Sequence, residues 1–330
     1  MRTFYSTCPA GLEEPARRLA ERVIPGFHAR ATMPGAVVYT AKVETPACDG
    51  FTNTYLQIAR ADKCGSIAHA ARLFLSDRRA LSDAERAMRA RGFSSFRAMF
   101  SDANRRVAVE KVHREGFERA IRIPNDRVNP ETELVISRRS EGSAMLLLRL
   151  TKPAATKKGA LSPAVASCLA FLAKPEPSGA FLDPFAGSGA VGIARMALGK
   201  SQRIFLGDAD AEAVKRLKKR IPSRAQIERL DARNLAERFA PGEFTEIATD
   251  PPWGLFRPLE MDADAFCRAM AQGFDHVLAP YGTCAVLTAM KDEFQRALAE
   301  TSLALAERYD ILVNGKKAAI FVARKGKGSE

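Results

Sequence analysis

The chain has 330 residues, of which 46% are hydrophobic, and its 51 Lys and Arg against 38 Asp and Glu give a formal net charge of +13. This length predicts two domains, and the lack of a ~20-residue apolar run or a signal-peptide pattern predicts a soluble, cytoplasmic protein with no membrane partner. The six cysteines are dispersed without a C-x-x-C pair, and the four histidines do not join them at zinc-ligand spacing. We therefore expect reduced thiols and no metal.

Charge is divided unevenly along the chain. Residues 1–158 contain 28 Lys and Arg against 17 Asp and Glu, a net +11, whereas residues 159–330 contain 23 against 21, a net +2. A basic half joined to a nearly neutral half is typical of a polyanion-binding module attached to an enzyme. For any single basic patch, a solvated arginine-rich surface is the alternative.

Residues 1–150 are predicted to form an α+β region. Leu12–Val23 has the apolar spacing of an amphipathic helix, and residues 54–100 read as mainly helical. Phe96 and Phe100 fall at helical spacing within that stretch, which is more typical of a core than of a base-stacking platform. Strands are predicted at 36–40, 106–112, 133–138 and 144–150.

A linker is predicted at 151–160, where the sequence has three lysines and no large apolar residue. It would separate a first domain, 1–150, from a second, 161–330. Basic side chains in and before the linker are candidate contacts for a nucleic-acid backbone, with linker solvation or an internal ion pair as the alternative. They are Arg138, Arg139, Lys152, Lys157 and Lys158.

A glycine-rich turn organises the second domain. Residues 183–192 read Asp-Pro-Phe-Ala-Gly-Ser-Gly-Ala-Val-Gly, between an apolar run at 180–182 and a helical pattern at 193–198. Glycine suits a backbone that curves tightly and lets a ligand approach closely. The glycines also fit the NAD fingerprint, but Asp183 would repel a pyrophosphate and suits a ligand carrying an ammonium and a sulfonium. We therefore favour S-adenosylmethionine over NAD.

Acidic residues follow three further predicted strands, at 204–207, 227–230 and 247–249. In open α/β sheets, ligands bind at the carboxyl ends of the strands. Asp208, ahead of Asp210, is the candidate to accept the ribose hydroxyls, and Asp231 is the candidate for the adenine amino group. Taken singly, each of these aspartates has a helix N-cap or turn role as its alternative.

The Asp250-Pro251-Pro252-Trp253 motif predicts chemistry on an exocyclic amino group of a nucleobase. The Asp250 carboxylate and the Pro251 carbonyl can accept the two N–H groups of such an amine and free its lone pair for attack. Consecutive prolines stiffen the loop and lack N–H donors. Trp253 would stack on the base, a contact worth roughly 1 to 3 kcal/mol, unless it is a core residue. No cysteine follows the two prolines, which disfavours C5-pyrimidine chemistry.

The two motifs, in this order, resemble class I S-adenosylmethionine-dependent methyltransferases, and in detail the THUMP-associated RNA guanine-N2 methyltransferases. Gly159–Ala166 is similar to the segment that leads into the cofactor pocket of that group, and Tyr5–Glu14 looks like the start of its amino-terminal domain. Residues 310–313 and 319–322 flank Asn314-Gly315, which resembles the closing antiparallel hairpin of the methyltransferase fold, with Asn-Gly suited to a tight turn.

The resemblance implies an α/β fold: a Rossmann-like class I methyltransferase sheet with a closing antiparallel hairpin, preceded by an α+β, THUMP-like RNA-binding region. It also implies guanine-N2 methylation of structured RNA, tRNA or rRNA, with S-adenosylmethionine as cofactor. The expected catalytic residues are Asp250, Pro251, Pro252 and Trp253. The expected cofactor-binding residues are Leu161, Ser162, Asp183, Phe185, Ala186, Gly187, Ser188, Gly189, Asp208, Ala209, Asp210, Asp231, Ala232 and Asp250.

Four alternatives remain open from the residues alone. Adenine-N6 or cytosine-N4 methylation of RNA or DNA is served equally well by the Asp-Pro-Pro-Trp motif. A catalytically silent nucleic-acid-binding protein would bind cofactor without methyl transfer, and an NAD-dependent enzyme would bind nicotinamide. A small-molecule methyltransferase would leave the basic first half without a role.

Overall fold

A computed structural model describes residues 1–151, 161–221, 225–254 and 261–327. Contacts divide these residues into two compact units. The first unit contains Met1–Thr7, Val23–Ala47 and the described part of Phe51–Ala154. The second unit contains Cys8–Arg22, Cys48–Gly50 and the described part of Ala155–Glu330. The predicted linker therefore lies, apart from Thr151, outside the described residues.

The first half of the chain alternates strands with short helices. In chain order, its elements are β1 (Arg2–Thr7), α1 (Glu13–Val23), β2 (His28–Met33), β3 (Ala36–Ala41), β4 (Asn53–Ala61), α2 (Ile67–Ser76), α3 (Arg78–Arg89), β5 (Phe96–Asp102), β6 (Arg105–Arg106), α4 (Lys111–Ala120), β7 (Thr132–Arg138) and β8 (Ala144–Arg149). Its strands form one eight-stranded sheet in the order β2-β3-β1-β4-β8-β7-β5-β6. Strands β5 and β7 are parallel, and the other neighbours in this sheet are antiparallel.

Several predictions for the first half are confirmed and two are wrong. The helix at α1 and the strands at β3, β7 and β8 are present. The helical reading of 54–100 fails at both ends, because β4 and β5 are strands whose side chains alternate between buried and partly exposed. Phe96 and Phe100 are buried as predicted, on one face of β5. The strand predicted at 106–112 is also wrong, since α4 begins at Lys111.

Helix α1 belongs to the second unit, although it lies early in the sequence. Its apolar face, with Ala16, Leu19 and Ala20, is fully buried. On its other side Arg18 pairs with Glu307 at 2.7 Å. Burial of a leucine side chain such as Leu19 stabilises a fold by about 1.5 to 3 kcal/mol, so packing and not sequence proximity places this helix.

The second half has the alternation of strands and helices that a doubly wound sheet requires. In chain order, its elements are α5 (Pro163–Leu172), β9 (Ala180–Asp183), α6 (Ala190–Ala197), β10 (Arg203–Asp208), α7 (Ala211–Arg220), β11 (Gln226–Arg229), a 3-10 helix (Ala232–Asn234), α8 (Leu235–Arg238), β12 (Phe244–Thr249), α9 (Ala263–Val277), β13 (Leu278–Thr288), α10 (Lys291–Ala299), β14 (Leu303–Val313) and β15 (Lys316–Lys325). Within the described helices, none is long and apolar enough to cross a membrane.

The strands of the second unit form a seven-stranded sheet in the order β11-β10-β9-β12-β13-β15-β14. The first five are parallel, and β15 runs antiparallel to both β13 and β14. Asn314 and Gly315 have φ of 50° and 78° and form the turn of the β14–β15 hairpin. The predicted Rossmann-like sheet with its closing hairpin is confirmed, and the carboxyl ends of β9, β10, β11 and β12 lie along one edge.

A buried ion pair lies under this sheet, in a position that sequence analysis did not detect. Arg195 on α6 and Glu246 on β12 are 0% and 1% exposed, and the Arg195 guanidinium donates to both Glu246 carboxylate oxygens. The backbone N–H of Glu176 donates to the same carboxylate at 2.8 Å. The charges are thus compensated within the core, which buried charges require.

Candidate active site

The turn between β9 and α6 requires glycine at two positions. Gly187 and Gly189 have φ of 49° and 79°, in the left-handed region that other residues rarely adopt. A Cβ on Gly189 would also lie 2.7 Å from the side chain of Leu217. The N–H of Ala186 donates to the carbonyl of Gly207 at 2.8 Å, which ties the turn to β10. The backbone is thus held open for a ligand at the end of β9.

Asp208, at the carboxyl end of β10, closes this turn. One of its carboxylate oxygens accepts a hydrogen bond from the Gly187 N–H at 2.7 Å, and the other accepts from the Asp210 N–H at 2.9 Å. Each carboxylate oxygen has a second lone pair. Asp208 can therefore hold the turn and still accept hydrogen bonds from a pair of ligand hydroxyls.

Asp183 is 1% exposed at the end of β9. The Thr249 hydroxyl donates to its Oδ1 at 2.7 Å and the Phe185 N–H donates to the same oxygen at 3.3 Å. Within the described residues Oδ2 has no hydrogen-bond donor. Burial raises the pKa of Asp183 to about 7, the two hydrogen bonds oppose that rise, and the charges of Asp250 and Asp208 add to it. A ligand cation would favour the ionised form.

Asp250 follows β12 and is the second carboxyl group at this edge, where it is half-buried. Burial raises the pKa of Asp250 to about 7, and the nearby indole N–H of Trp253 opposes the rise. No arginine or lysine of the described residues forms an ion pair with Asp250 or with Asp183. Two acidic groups without internal counterions suit a cationic ligand, and a carboxyl group that titrates near neutral pH suits proton transfer.

The two prolines and the tryptophan of the motif differ in exposure. Pro251 is buried, Pro252 is exposed and Trp253 is half-buried. The indole Nε1 of Trp253 donates to the carbonyl of Leu287 on β13 at 3.3 Å. The indole ring is thus anchored at one edge and is not a fully enclosed core residue. Its stacking role stays a prediction.

Asp210 and Asp231 have local capping roles. Asp210 caps α7 by accepting from the Glu212 N–H at 2.9 Å. Asp231 caps the 3-10 helix by accepting from the Arg233 N–H at 3.0 Å, and it also pairs with the Arg233 guanidinium at 2.6 Å. Both aspartates therefore have the helix N-cap role that was the alternative to cofactor binding. Their predicted cofactor contacts would have to use the remaining lone pairs.

The other predicted cofactor residues lie around the same strand ends or at the start of α5. Ser162 caps α5, accepting from the Val165 N–H at 3.3 Å, and Leu161 beside it is half-buried. Their contact with a cofactor stays a prediction. The remaining positions divide by exposure into buried Ala186 and Ala232, half-buried Phe185, and exposed Ser188 and Ala209.

The arginines predicted to contact RNA are committed to contacts within the first unit. Arg139 is 3% exposed and donates to the Tyr5 hydroxyl at 3.1 Å and to the Pro34 carbonyl at 2.9 Å. Arg138 pairs with Asp102 at 2.7 Å. The structure thus argues against phosphate contacts for Arg139 above all, because its guanidinium is buried. The predicted contacts at Lys152, Lys157 and Lys158 lie outside the described residues.

Thr249 is the site residue that sequence analysis missed. It is 0% exposed and links Asp183 to the strand that carries Asp250. Its position in the sequence could have indicated this contact. Thr249 ends a strand that is parallel to the strand ending at Asp183, and Ile247 lies opposite Leu182. Elsewhere in the described residues, no group of three His, Cys, Asp or Glu side chains is arranged to hold a metal ion.

Comparisons with known proteins relate the chain to methyltransferases. The model of the family UPF0020, RMKL-like methyltransferase domain, matches residues 152–318. The tRNA (guanine(6)-N2)-methyltransferase of Thermus thermophilus is 30% identical over 202 residues, which are 58% of this chain and 59% of that protein. The chain thus spans about three fifths of the length of this curated relative.

Two crystal structures share the fold. TrmN from Thermus thermophilus superposes with a TM-score of 0.75 at 24% identity, covering 98% of this chain and 100% of that one. SMU.472 complexed with SAH superposes with a TM-score of 0.70 at 13% identity, covering 100% and 99%. Both comparisons extend over the first half as well as the second, so the whole described architecture has solved counterparts.

Proposed function

This chain belongs to the RMKL-like methyltransferase domain family, and we propose that it transfers the methyl group of S-adenosylmethionine to N2 of guanosine in tRNA. The observation that carries the proposal is the pair of carboxyl groups with raised pKa values, buried Asp183 and half-buried Asp250, at the carboxyl ends of adjacent parallel strands. The choice of tRNA and of guanine 6 rests on the similarity to the tRNA (guanine(6)-N2)-methyltransferase of Thermus thermophilus. A tRNA substrate implies a cytoplasmic enzyme.

The residues at the strand ends fit S-adenosylmethionine by charge and by hydrogen-bonding capacity. The cofactor supplies an electrophilic methyl group on a sulfonium. The glycine turn offers close backbone approach, and the spare lone pairs of Asp208 suit the two ribose hydroxyls. Asp183 presents a free carboxylate oxygen in a buried setting, where its attraction for a cation is little screened.

Asp250 and Pro251 would orient the substrate amine. The guanine N2 lone pair is delocalised into the ring, and two fixed acceptors, the Asp250 carboxylate and the Pro251 carbonyl, can take its N–H groups and favour a pyramidal nitrogen. The lone pair then forms the N–C bond as the S–C bond breaks, and the N2 proton passes to Asp250 or to water. A pKa near 7 places Asp250 in the range where a carboxylate accepts a proton usefully at neutral pH.

Trp253 would hold the base flat beside these acceptors. Stacking on an aromatic ring contributes roughly 1 to 3 kcal/mol per base and tolerates any base identity. The hydrogen bond to Leu287 sets the ring orientation before the substrate arrives, which lowers the entropy lost on binding. A guanosine within a stem would have to leave its base pair to reach this site, at a cost of a few kcal/mol.

The first experiment is transfer of labelled methyl from S-adenosylmethionine to total RNA, to tRNA transcripts and to genomic DNA, with nucleoside mass spectrometry of the products. We expect N2-methylguanosine in tRNA, and none in transcripts in which adenosine replaces guanosine 6. Asp250→Ala is the inactive control, and Asp292→Ala, at an exposed position on α10, is the matched active control.

Other products would change the proposal in defined ways. Methylated adenine or cytosine would overturn guanine N2 while keeping the amine-orienting role of Asp250. Methylation of rRNA alone would overturn the tRNA assignment. Cofactor binding without transfer to any nucleic acid would support a silent binding protein or a small-molecule methyltransferase.

A further inference from the structure

A cavity of about 350 Å³ lies within the first unit, between β5, the segment after β6, and α4. We call it the arginine cavity, because its charged lining consists of Arg97, Arg106, Arg114 and Arg127 with one carboxylate, Glu118. Four guanidiniums and one carboxylate give the lining a formal charge of +3. Its volume is within the range of small-ligand sites. None of these residues belongs to the site at the strand ends of the second unit.

The carboxylates that pair directly with the cavity arginines are Glu118 and Glu133. Glu118 pairs with Arg127 at 2.7 Å and with Arg114 only at 3.8 Å. Glu133 pairs with Arg97, but it also serves Arg149 at 2.7 Å. Each carboxylate is thus shared between two guanidiniums. An ordinary surface ion-pair network would be closer to balance.

Two N–H donors in the cavity lining are buried and unsatisfied. The Nε atoms of Arg97 and Arg114 have no hydrogen-bond acceptor among the described residues. Arg106 is exposed, and its side chain forms no hydrogen bond or ion pair in the described part of the chain. The Arg106 guanidinium and the terminal N–H groups of Arg114 make no hydrogen bond among the described residues, so they are the donors available to an acceptor in the cavity.

The lining distinguishes among possible anions. Arg97 and Arg127 already donate to Glu133 and Glu118. A carboxylate carries one charge and two oxygens, whereas Arg106 and Arg114 alone present more N–H groups than two oxygens can accept. A phosphate group has more charge and more terminal oxygens, and its geometry matches the planar guanidinium fork. The chemistry of the cavity therefore fits a phosphate group, carried by a nucleic acid or by a free phosphorylated molecule.

We propose that the arginine cavity binds a phosphate group of the RNA substrate and so helps the first unit to grip that RNA. The choice of RNA as the source of the phosphate rests on the proposed function. Residues 1–158 carry a net charge of +11, which favours a polyanion over a small metabolite. A polyanion is also attracted by the positive charges outside the cavity.

The test compares RNA binding by the full chain and by two double variants with the same change in net charge. Arg106→Gln/Arg114→Gln removes the two cavity arginines with the weakest ion pairs. Arg114 lies 3.8 Å from Glu118, and Arg106 forms no ion pair among the described residues. Arg78→Gln/Arg79→Gln is the matched control, because both residues are exposed at the start of α3 and lie outside the cavity lining. Binding of a tRNA transcript is measured by fluorescence anisotropy over a salt series.

We expect the cavity variant to lose ~10-fold or more in RNA affinity and to reduce the slope of log affinity against log salt by roughly 1 per lost contact. The control should change both quantities much less. Inorganic phosphate at constant ionic strength should compete with RNA for the wild type and not for the cavity variant. Arg106→Gln alone, at an exposed and unpaired side chain, guards against a folding defect in the double variant.

Two results would overturn the proposal. Equal losses in the cavity and control variants would mean that only net charge matters. Phosphate binding that the cavity variant abolishes, with RNA affinity unchanged, would assign the cavity to a free phosphorylated molecule instead of RNA. Failure of the proposed function would give a different result. The protein would then transfer no methyl group, while its RNA affinity would still fall when Arg106 and Arg114 are replaced.

Discussion

The hydroxyl of Thr249 donates a hydrogen bond of 2.7 Å to Oδ1 of Asp183. The two residues end adjacent parallel strands, so this bond joins the strand before the glycine turn to the strand before Asp250. The bond fixes Oδ1, while no donor among the described residues bonds Oδ2, which can therefore accept from a ligand. It also opposes the effect of burial on the Asp183 carboxyl group, because it stabilises the ionised form.

Thr249→Val should therefore weaken cofactor binding without disturbing the fold. The substitution keeps the side-chain shape and removes the donor, and a hydrogen bond to a charged group contributes about 1.5 to 3 kcal/mol, or roughly a tenfold to hundredfold change in affinity. The pKa of Asp183 should rise further. Isothermal titration with S-adenosylmethionine across pH 6 to 8 measures both effects, and an unchanged affinity and pH profile would contradict the role given to Thr249.

Cofactor binding should strengthen as pH rises through about 7. Burial holds the pKa of Asp183 near 7, so this group is largely neutral at pH 6 and largely ionised at pH 8. A cationic ligand prefers its ionised form. Titrations at these two pH values should show the higher affinity at pH 8, and Asp183→Asn should flatten the dependence. A pH-independent wild type would argue against contact between Asp183 and the cation.

The free protein should show the opposite trend in stability. Because the pKa of Asp183 rises from 3.8 to about 7 on folding, the folded chain binds more protons than the unfolded chain between these values. The contribution of this group to the free energy of unfolding is present below pH 4 and is lost as pH rises to about 7. Denaturant titrations of the wild type and Asp183→Asn at pH 5 and pH 8 isolate it. A stability difference between the two proteins that does not change with pH would refute this linkage.

Asp250→Ala should lower kcat by roughly 10² to 10³ while leaving the Kd for S-adenosylmethionine nearly unchanged, by analogy with removal of one preorganised polar group. Single-turnover methyl transfer and isothermal titration provide the two values. Asp250→Asn keeps an oxygen acceptor for the amine and should lose less activity than Asp250→Ala. Equal loss of turnover and cofactor affinity would instead make the residue structural.

Arg195→Met should destabilise the second unit by about 3 to 5 kcal/mol, because it leaves the Glu246 carboxylate buried without its charge partner. Arg195→Met/Glu246→Leu should recover much of that loss, since the desolvated charge is removed with its partner. Denaturant-induced unfolding of the two variants measures the difference. A double variant as unstable as the single one would show that the pair is needed for packing and not for charge balance.

Strands and turns with strong local signals were predictable. The runs at 204–207, 227–230 and 247–249 are parallel strands, and Asn314-Gly315 turns the closing hairpin, because apolar runs and positive-φ residues act through their immediate neighbours. Residues 54–58 and 96–100 were misread as helix, although alternate side chains there are buried. The pattern of apolar residues in such a short segment fits a helix or a strand, and pairing with a neighbouring strand decides between them.

From the sequence alone, the first four strands of the second domain, the glycine turn, the acidic residue after each of those strands and the closing hairpin were predictable, since these depend on backbone preferences a few residues long. Which charged groups are buried, and with what partners, depends on the folded structure. Arg139 is enclosed beside Tyr5, α1 packs within the second unit, and Thr249 reaches Asp183. Burial and pairing of this kind arise from contacts between residues far apart in the chain, and they set the pKa of Asp183 and Asp250 near 7.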